Sequence, residues 1–263
     1  MSGSTTIATM SLEGGRVLVT GAGSGIGAAI AHHAAAAGAQ VAVNDIDASR
    51  AEETCASVRD AGGIAHAIVG DVSEPGPARA VVESAIEALG GLTGLANNVG
   101  LVRGGALETL AADTWREVFR IDVDSALWCS QAALASLRNS NGAIVNTSSL
   151  VAYFAAPGAG AYNAAKAALS SLTEQMALEW GPSGIRVNGI APGLVSGTNF
   201  SASSTDAAVQ ARRQPVVPLR RTGRADDIAP VVVFLLSDAA RYMTGQVLRI
   251  DGGLGIALQT FIP

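Results

Sequence analysis

"RVLVTGAGSGIGAAIAHHAAAAGAQVAVND" occupies residues 16–45 and reads as strand, glycine-rich turn, helix and second strand. Arg16 to Thr20 is a short aliphatic run closed by glycine. The alanine-rich stretch behind it favours helix and runs to Gly38, a residue type that stops one. Gln40 to Asp45 is aliphatic again and ends in an acid. Gly21, Gly25 and Gly27 allow a tight turn and a close approach of an anion to the backbone, while the N–H groups of the helix's first turn face that anion. A glycine-rich loop by itself is a weak signal. One that follows a strand, opens a helix and precedes a strand tipped with a carboxylate has the context of a dinucleotide-binding turn.

The same alternation continues through the chain. Ile64 to Val72, Leu92 to Asn98, Gly142 to Ser149, Gly184 to Gly193 and Gly245 to Gly253 read as strands. Between them lie helical stretches, among them a long amphipathic one over 114–137, another from the "YNAAK" stretch to Trp180, and "ADDIAPVVVFLLSD" begun by acids. Strands aliphatic on both faces and separated by helices predict an α/β fold, a three-layer doubly wound parallel sheet. No linker divides 1–263, so a single domain is expected. The segment 195–218, "VSGTNFSASSTDAAVQARRQPVVP", is rich in Ser, Thr and Pro and is read as a mobile lid over a binding site.

The bulk composition narrows the partners. Hydrophobic residues make up 49% and aromatics only 4%, which implies an aliphatic core with close Ala and Gly contacts. A net charge of −5, with no basic cluster longer than a pair such as Arg212-Arg213, argues against nucleic acid. The longest aliphatic run, near Val231 to Leu236, is far short of a membrane span. The first fifteen residues lack the cationic start and apolar core of a secretory signal. Cys55 and Cys129 have no CxxC spacing and are read as reduced, buried thiols, so a cytoplasmic location is expected. His32, His33 and His66 show no ligand spacing, and no metal site is expected.

At the tip of the second strand, Asp45 is placed to accept both hydroxyls of an adenosine ribose and to repel a 2′-phosphate, which favours NAD over NADP. Asp47 is the better placed cap for the following helix. Asp71, at the end of the third strand, is a candidate acceptor for the adenine amino group, with Val72 against the ring. In "GAGAYNAAKAAL", residues 158–169, Tyr162 and Lys166 lie four apart and share a helical face.

"TGAGSGIG", "NNVG" at 97–100, the serine pair Ser148-Ser149, "YNAAK", "IRVNGIAPG" at 185–193 and "YMTGQVLRIDGG" at 242–253 occur in that order. Together they resemble the short-chain dehydrogenase/reductase family, its NAD-preferring bacterial members in particular, from about Arg16 to Gly253. The resemblance implies a Rossmann-like sheet of about seven strands and a Ser-Tyr-Lys catalytic set, Ser149, Tyr162 and Lys166, the serine thirteen residues before the tyrosine. It also implies cofactor contacts from Gly21, Ser24, Gly25, Ile26, Gly27, Asn97, Gly100, Pro192, Gly193 and Val195. Asn188 takes the place of a structural asparagine.

Two positions depart from the pattern. The family's catalytic asparagine, seven after a tryptophan, falls on Asp122 counting from Trp115. An aspartate can keep the helix distortion found there and adds a negative charge that Lys166 can partly neutralise. The threonine usually four after Pro-Gly is Gly197, so Thr198 is the candidate contact for the nicotinamide amide.

The expected chemistry is hydride transfer between NAD and a secondary alcohol or ketone. Tyr162 acts as base, its pKa brought down from about 10 by Lys166 and the positive nicotinamide together. Ser149 holds the substrate oxygen. Leu101, Val102, Val151, Phe154, Leu194 and Phe200 are expected to face the substrate and point to an apolar or alicyclic one. The alternatives are an NADPH-dependent 3-oxoacyl-carrier reductase and a non-catalytic dinucleotide-binding protein. The resemblance further suggests a homotetramer, and the apolar tail "LGIALQTFIP" is expected to bury itself against a neighbour or close a pocket.

Overall fold

The structure is a computed structural model and describes residues 10–198 and 206–261, with side chains to Ala257. Seven parallel strands, β1 (Arg16–Val19), β2 (Gln40–Asp45), β3 (Ile64–Val69), β4 (Gly94–Asn97), β5 (Ala143–Thr147), β6 (Arg186–Pro192) and β7 (Val247–Ile250), form one sheet in the order 3-2-1-4-5-6-7. The helices are α1 (Gly25–Ala36), α2 (Ala48–Asp60), α3 (Pro75–Leu89), α4 (Ala112–Phe119), α5 (Ser125–Ser140), α6 (Tyr162–Trp180), α7 (Ala207–Arg213) and α8 (Ala225–Leu236). The expected doubly wound three-layer fold is what forms.

Alternation along the strands feeds two cores, because successive side chains point to opposite faces. Val17 and Val19 of β1 join Val41 and Val43 of β2 against α1 and α8, where Ile30, Ala31, Ala34, Ile228 and Val232 are buried. Leu18 points the other way, into a core with Leu95, Ile144, Val82 of α3, Leu137 of α5 and Met176 of α6. Both cores are almost wholly aliphatic, as the scarcity of aromatics requires.

The order of the strands creates the site. The chain runs outward from β1 to β3, then crosses back to place β4 on the other side of β1. At such a reversal the connections leaving the strands' carboxyl ends diverge and leave a crevice. Asn188 ties the outer strands, donating to the Met243 carbonyl at 2.8 Å and accepting from the Gln246 N–H at 3.1 Å. Cys55 and Cys129 are free and buried, and burial pushes their thiols up to about 11 and about 12. Among the described residues no helix is long and apolar enough to cross a membrane.

The long amphipathic stretch is not one regular rod. A π turn over Arg120–Asp124 separates α4 from α5, the distortion expected around Asp122. Within the segment 195–218, residues 199–205 lie outside the description, and Asp206 caps α7 by accepting from the Ala208 and Val209 N–H groups.

Candidate active site

A cleft of about 560 Å³ opens over the carboxyl ends of the strands. Its floor is the turn between β1 and α1. Gly21, at φ +60°, adopts a backbone conformation that L side chains rarely take, and a Cβ on Gly27 would sit 2.2 Å from the Gly21 carbonyl oxygen. Side chains are excluded at both places: at Gly21, which lines the cleft, so that a bound group can lie directly on the backbone, and at Gly27 by close packing behind the turn. Ser24 caps α1 without a side-chain hydrogen bond, and Ser24, Gly25 and Ile26 line the cleft, which leaves the helix's first N–H groups for an anion.

Asp45 lies at one end. Its Oδ2 accepts from the Gly23 N–H and its Oδ1 from the Asp47 N–H, both at 3.0 Å, so the carboxylate is fixed in orientation. Asp47 caps α2, accepting from the Ser49 and Arg50 N–H groups. Asp71 and Val72 line the same region. Burial opposes ionisation of Asp71, but the Ser73 amide and hydroxyl and the Arg120 charge outweigh it and hold its carboxyl below the usual range.

At the other end, Ser149 leaves β5, while Tyr162 and Lys166 are on the first turns of α6, and all three line the cleft. Ser148, the neighbour pointing the opposite way, donates to the Lys166 carbonyl at 3.0 Å and meets the Ser170 hydroxyl at 2.7 Å, which fixes α6 against β5. The Lys166 ammonium is 5.7 Å from the centre of the Tyr162 ring and donates to the Thr147 carbonyl at 3.0 Å. Its counter-ion is Asp122, with Oδ1 2.8 Å away and no exposed surface. Burial works against the charge on Lys166, but Asp122 and Tyr162 outweigh it and hold the ammonium above its ordinary pKa. Asp122 is raised because burial prevails over the attraction of Lys166.

The expectation at Tyr162 is a lowering by Lys166 and the oxidised nicotinamide together; the chain's own groups by themselves raise the phenol, because burial first and the Asp122 charge after it exceed the pull of Lys166 and of the Ser149 hydroxyl. The lysine does not acidify the phenol by itself, because burial of the phenol, with the Asp122 charge beside it, outweighs the ammonium.

The geometry also sorts the other expected residues. Gly100, Pro192, Gly193, Val195 and Thr198 line the cleft, as do Leu101, Val102 and Leu194. Asn97 does not. It is buried at the end of β4, donating to Asn146 at 2.9 Å and Ser130 at 3.0 Å, and the cleft is met instead by Asn98. Asn98 donates to the Thr20 and Gly21 carbonyls at 3.3 and 3.1 Å and so holds the glycine turn. The doublet "NN" carried that signal, since the last strand residue faces the sheet and the next one leaves it. Gly27 serves by packing and is off the wall.

Val151 and Phe154 stand outside the cleft, Phe154 under the Arg249 guanidinium at 5.8 Å. Phe200 lies outside the described residues. The tail forms a 3-10 helix in which Ala257 is buried and Ile256 exposed, with the side chains beyond outside the description. Two arginines line the cleft: Arg50 beside Asp45, which was not foreseen there, and Arg213 at the end of α7, within the segment expected to be the lid.

A dinucleotide fits these walls: a turn no Cβ could share, free helical N–H groups, and an oriented carboxylate at the ribose end. A family model described as enoyl-(acyl carrier protein) reductase matches residues 21–255. A 2-(S)-hydroxypropyl-CoM dehydrogenase of Xanthobacter autotrophicus is 39% identical over 243 residues, which cover 90% of this chain and 95% of the relative. A 7α-hydroxysteroid dehydrogenase solved with NADH and 7-oxoglycochenodeoxycholic acid superposes with a TM-score of 0.89 at 33% identity, covering 93% of this chain and 95% of its own. A Beutenbergia cavernae structure assigned to an NAD(P)-dependent gluconate 5-dehydrogenase, with NADP bound at low occupancy, gives 0.87 at 36% identity over 93% and 98%. The chain belongs to the short-chain dehydrogenase/reductase family, as an oxidoreductase acting on CH–OH groups.

Proposed function

We propose that this protein is an NAD-dependent dehydrogenase of small apolar or alicyclic secondary alcohols, reversible to ketone reduction. The observation that carries the reading is the meeting of Ser149, Tyr162 and Lys166 at one end of a cleft whose other end is the glycine turn and Asp45. A bound nicotinamide dinucleotide supplies the hydride acceptor and, when oxidised, a positive ring beside the substrate. The chain's own residues do the rest. Asp45, already oriented by two N–H groups, receives the hydroxyls of the adenosine ribose. Ser149 donates to the substrate oxygen and steadies the charge that develops there. Tyr162 takes the hydroxyl proton as the hydride leaves the carbon, and returns it in the reverse direction. An ammonium has three N–H donors; with Asp122 and Thr147 beside it, Lys166 keeps one for the second ribose. Leu101, Val102, Ile121 and Leu194 make the substrate end mainly apolar. Segment 195–218 serves as the lid, and the assembly is a homotetramer.

A second reading, use of NADP, is favoured by Arg50, a cation on the same wall as Asp45. Steady-state kinetics on racemic secondary alcohols, followed by the absorbance of reduced cofactor, decide between them. NAD is expected to give the higher kcat/KM, and a preference for NADP would overturn that part of the reading. A Tyr162→Phe variant is expected to bind NADH normally and lose on the order of 10³-fold in kcat. Retained turnover would show that the phenol is not the base, and an inactive wild type would make the chain a binder only.

A further inference from the structure

Where the family pattern has an uncharged amide, this chain buries a carboxylate against its lysine. Asp122 occupies the π turn, with Oδ1 2.8 Å from the Lys166 ammonium and Oδ2 accepting from the Leu101 N–H at 3.1 Å. The wider turn brings the carboxylate in from between α4 and α5, and neither partner is more than 3% exposed. Charges confined this way are not screened by solvent. Beside Tyr162 they sum to zero.

Among the described residues, three side chains act on the phenol's ionisation. From α6 there is Lys166, from the π turn Asp122, and from the end of β5 the neutral Ser149 hydroxyl. The walls at 99–102 and 192–195 carry no ionisable side chain. Arg213 of α7 lines the same cleft, but among the described residues only Lys166 and Asp122 act on the phenol as charges.

We propose that Asp122 is a positioning residue that holds Lys166 as a neutral ion pair, so that Tyr162 keeps its proton in the free protein and yields it only when an oxidised dinucleotide brings a positive ring into the cleft. The inference rests on Tyr162 being the base. Burial favours the neutral phenol, a carboxylate near it does the same, and the ammonium and the Ser149 hydroxyl oppose both. The oxidised ring adds the unmatched positive charge that the pair lacks. By linkage, binding of oxidised NAD then releases a proton, and its affinity rises with pH; binding of NADH does neither.

Two measurements test this. The first is a titration of tyrosinate absorbance in the dinucleotide-free protein, with Tyr162→Phe separating the Tyr162 signal from Tyr153 and Tyr242. Asp122→Asn keeps the shape and removes the charge, and is expected to move the Tyr162 ionisation down by about 1 pH unit or more, with the pH midpoint of kcat/KM following it. An unmoved Tyr162 titration in a folded Asp122→Asn protein overturns the inference. The second uses the wild type and is independent of how that variant folds: proton release on adding NAD, read with a pH indicator. Release is expected with NAD, and its absence with NADH or in Tyr162→Phe; binding of NAD with no release overturns the inference. Full turnover by Tyr162→Phe is a different failure, that of the proposed function itself.

Discussion

Removing an ammonium from water costs several kcal/mol unless a counter-charge is in reach. Among the described residues, Lys166 meets that condition through Asp122, at 2.8 Å. Truncating the lysine therefore does more than silence the site. Lys166→Met is expected to leave a buried, unpaired carboxylate and to lower unfolding free energy by about 3–5 kcal/mol, measured by urea denaturation. Since Asp122 already stands above its ordinary pKa and in the variant loses its counter-charge, keeping only the Leu101 N–H, protonation relieves the strain. The deficit should accordingly be smaller in acid and grow as pH rises. A variant as stable as the wild type at neutral pH would show that the pair is not a charge pair. Gly27 answers to a different force. A methyl group there would meet the Gly21 carbonyl at 2.2 Å, so Gly27→Ala should cost about 1–3 kcal/mol and weaken dinucleotide binding at the same time, measured by thermal melting and NADH fluorescence titration.

Among the elements, α8 shows how local sequence decides a boundary. Asp227, in its first turn, accepts from the Arg224 N–H at 2.8 Å and receives both Arg221 nitrogens at 2.6 and 2.7 Å. The Arg221 guanidinium first of all, with the Arg224 amide, lowers its carboxyl to about 2 from 3.8, overcoming what burial opposes. A folded pKa below the unfolded one stabilises the protein above about pH 4, and that contribution is lost as pH falls from 3.8 toward 2. The pair is half in solvent, so screening leaves about 1 kcal/mol. Asp227→Asn should lower stability by about that much at pH 7 and by nearly nothing at pH 2, read from denaturation midpoints. The π turn is the complementary case. One extra residue in a helical turn re-aims side chains, and here it delivers Asp122 to Lys166 and the Leu101 amide together.

On the scale of the whole molecule, the cleft joins the β1–β3 half, which carries Asp45 and Asp71, to the β4–β7 half, which carries the reacting side chains. A ligand spanning both is expected to stabilise the fold as a unit. At about a hundredfold excess over Kd, NAD should add about 2.7 kcal/mol and raise the melting temperature by several degrees. NADP should raise it less, and Asp45→Ala should narrow the difference. Equal shifts from both cofactors in the wild type would remove Asp45 from the choice. Nearly all of this architecture was legible in the chain, because aliphatic strands, glycine turns and alternating helices are local or nearest-neighbour signals. Tyr162 and Lys166, four apart on one helix, could be set on one face for the same reason, while Ser149 joined them through the family resemblance. Three things could not be read this way. Asn97 rather than Asn98 was expected at the cleft, since which of two adjacent asparagines turns inward depends on where β4 stops against β5. Arg50 faces the cleft because of how α2 docks. The sign of the perturbation on Tyr162 depends on distances between α6 and the π turn, residues forty apart in the chain. The succession of strands and helices and the motifs that carry the candidate groups are properties of pattern, which sequence carries. The balance of charge around a phenol falls off with separation and grows with burial, and only the folded chain sets either.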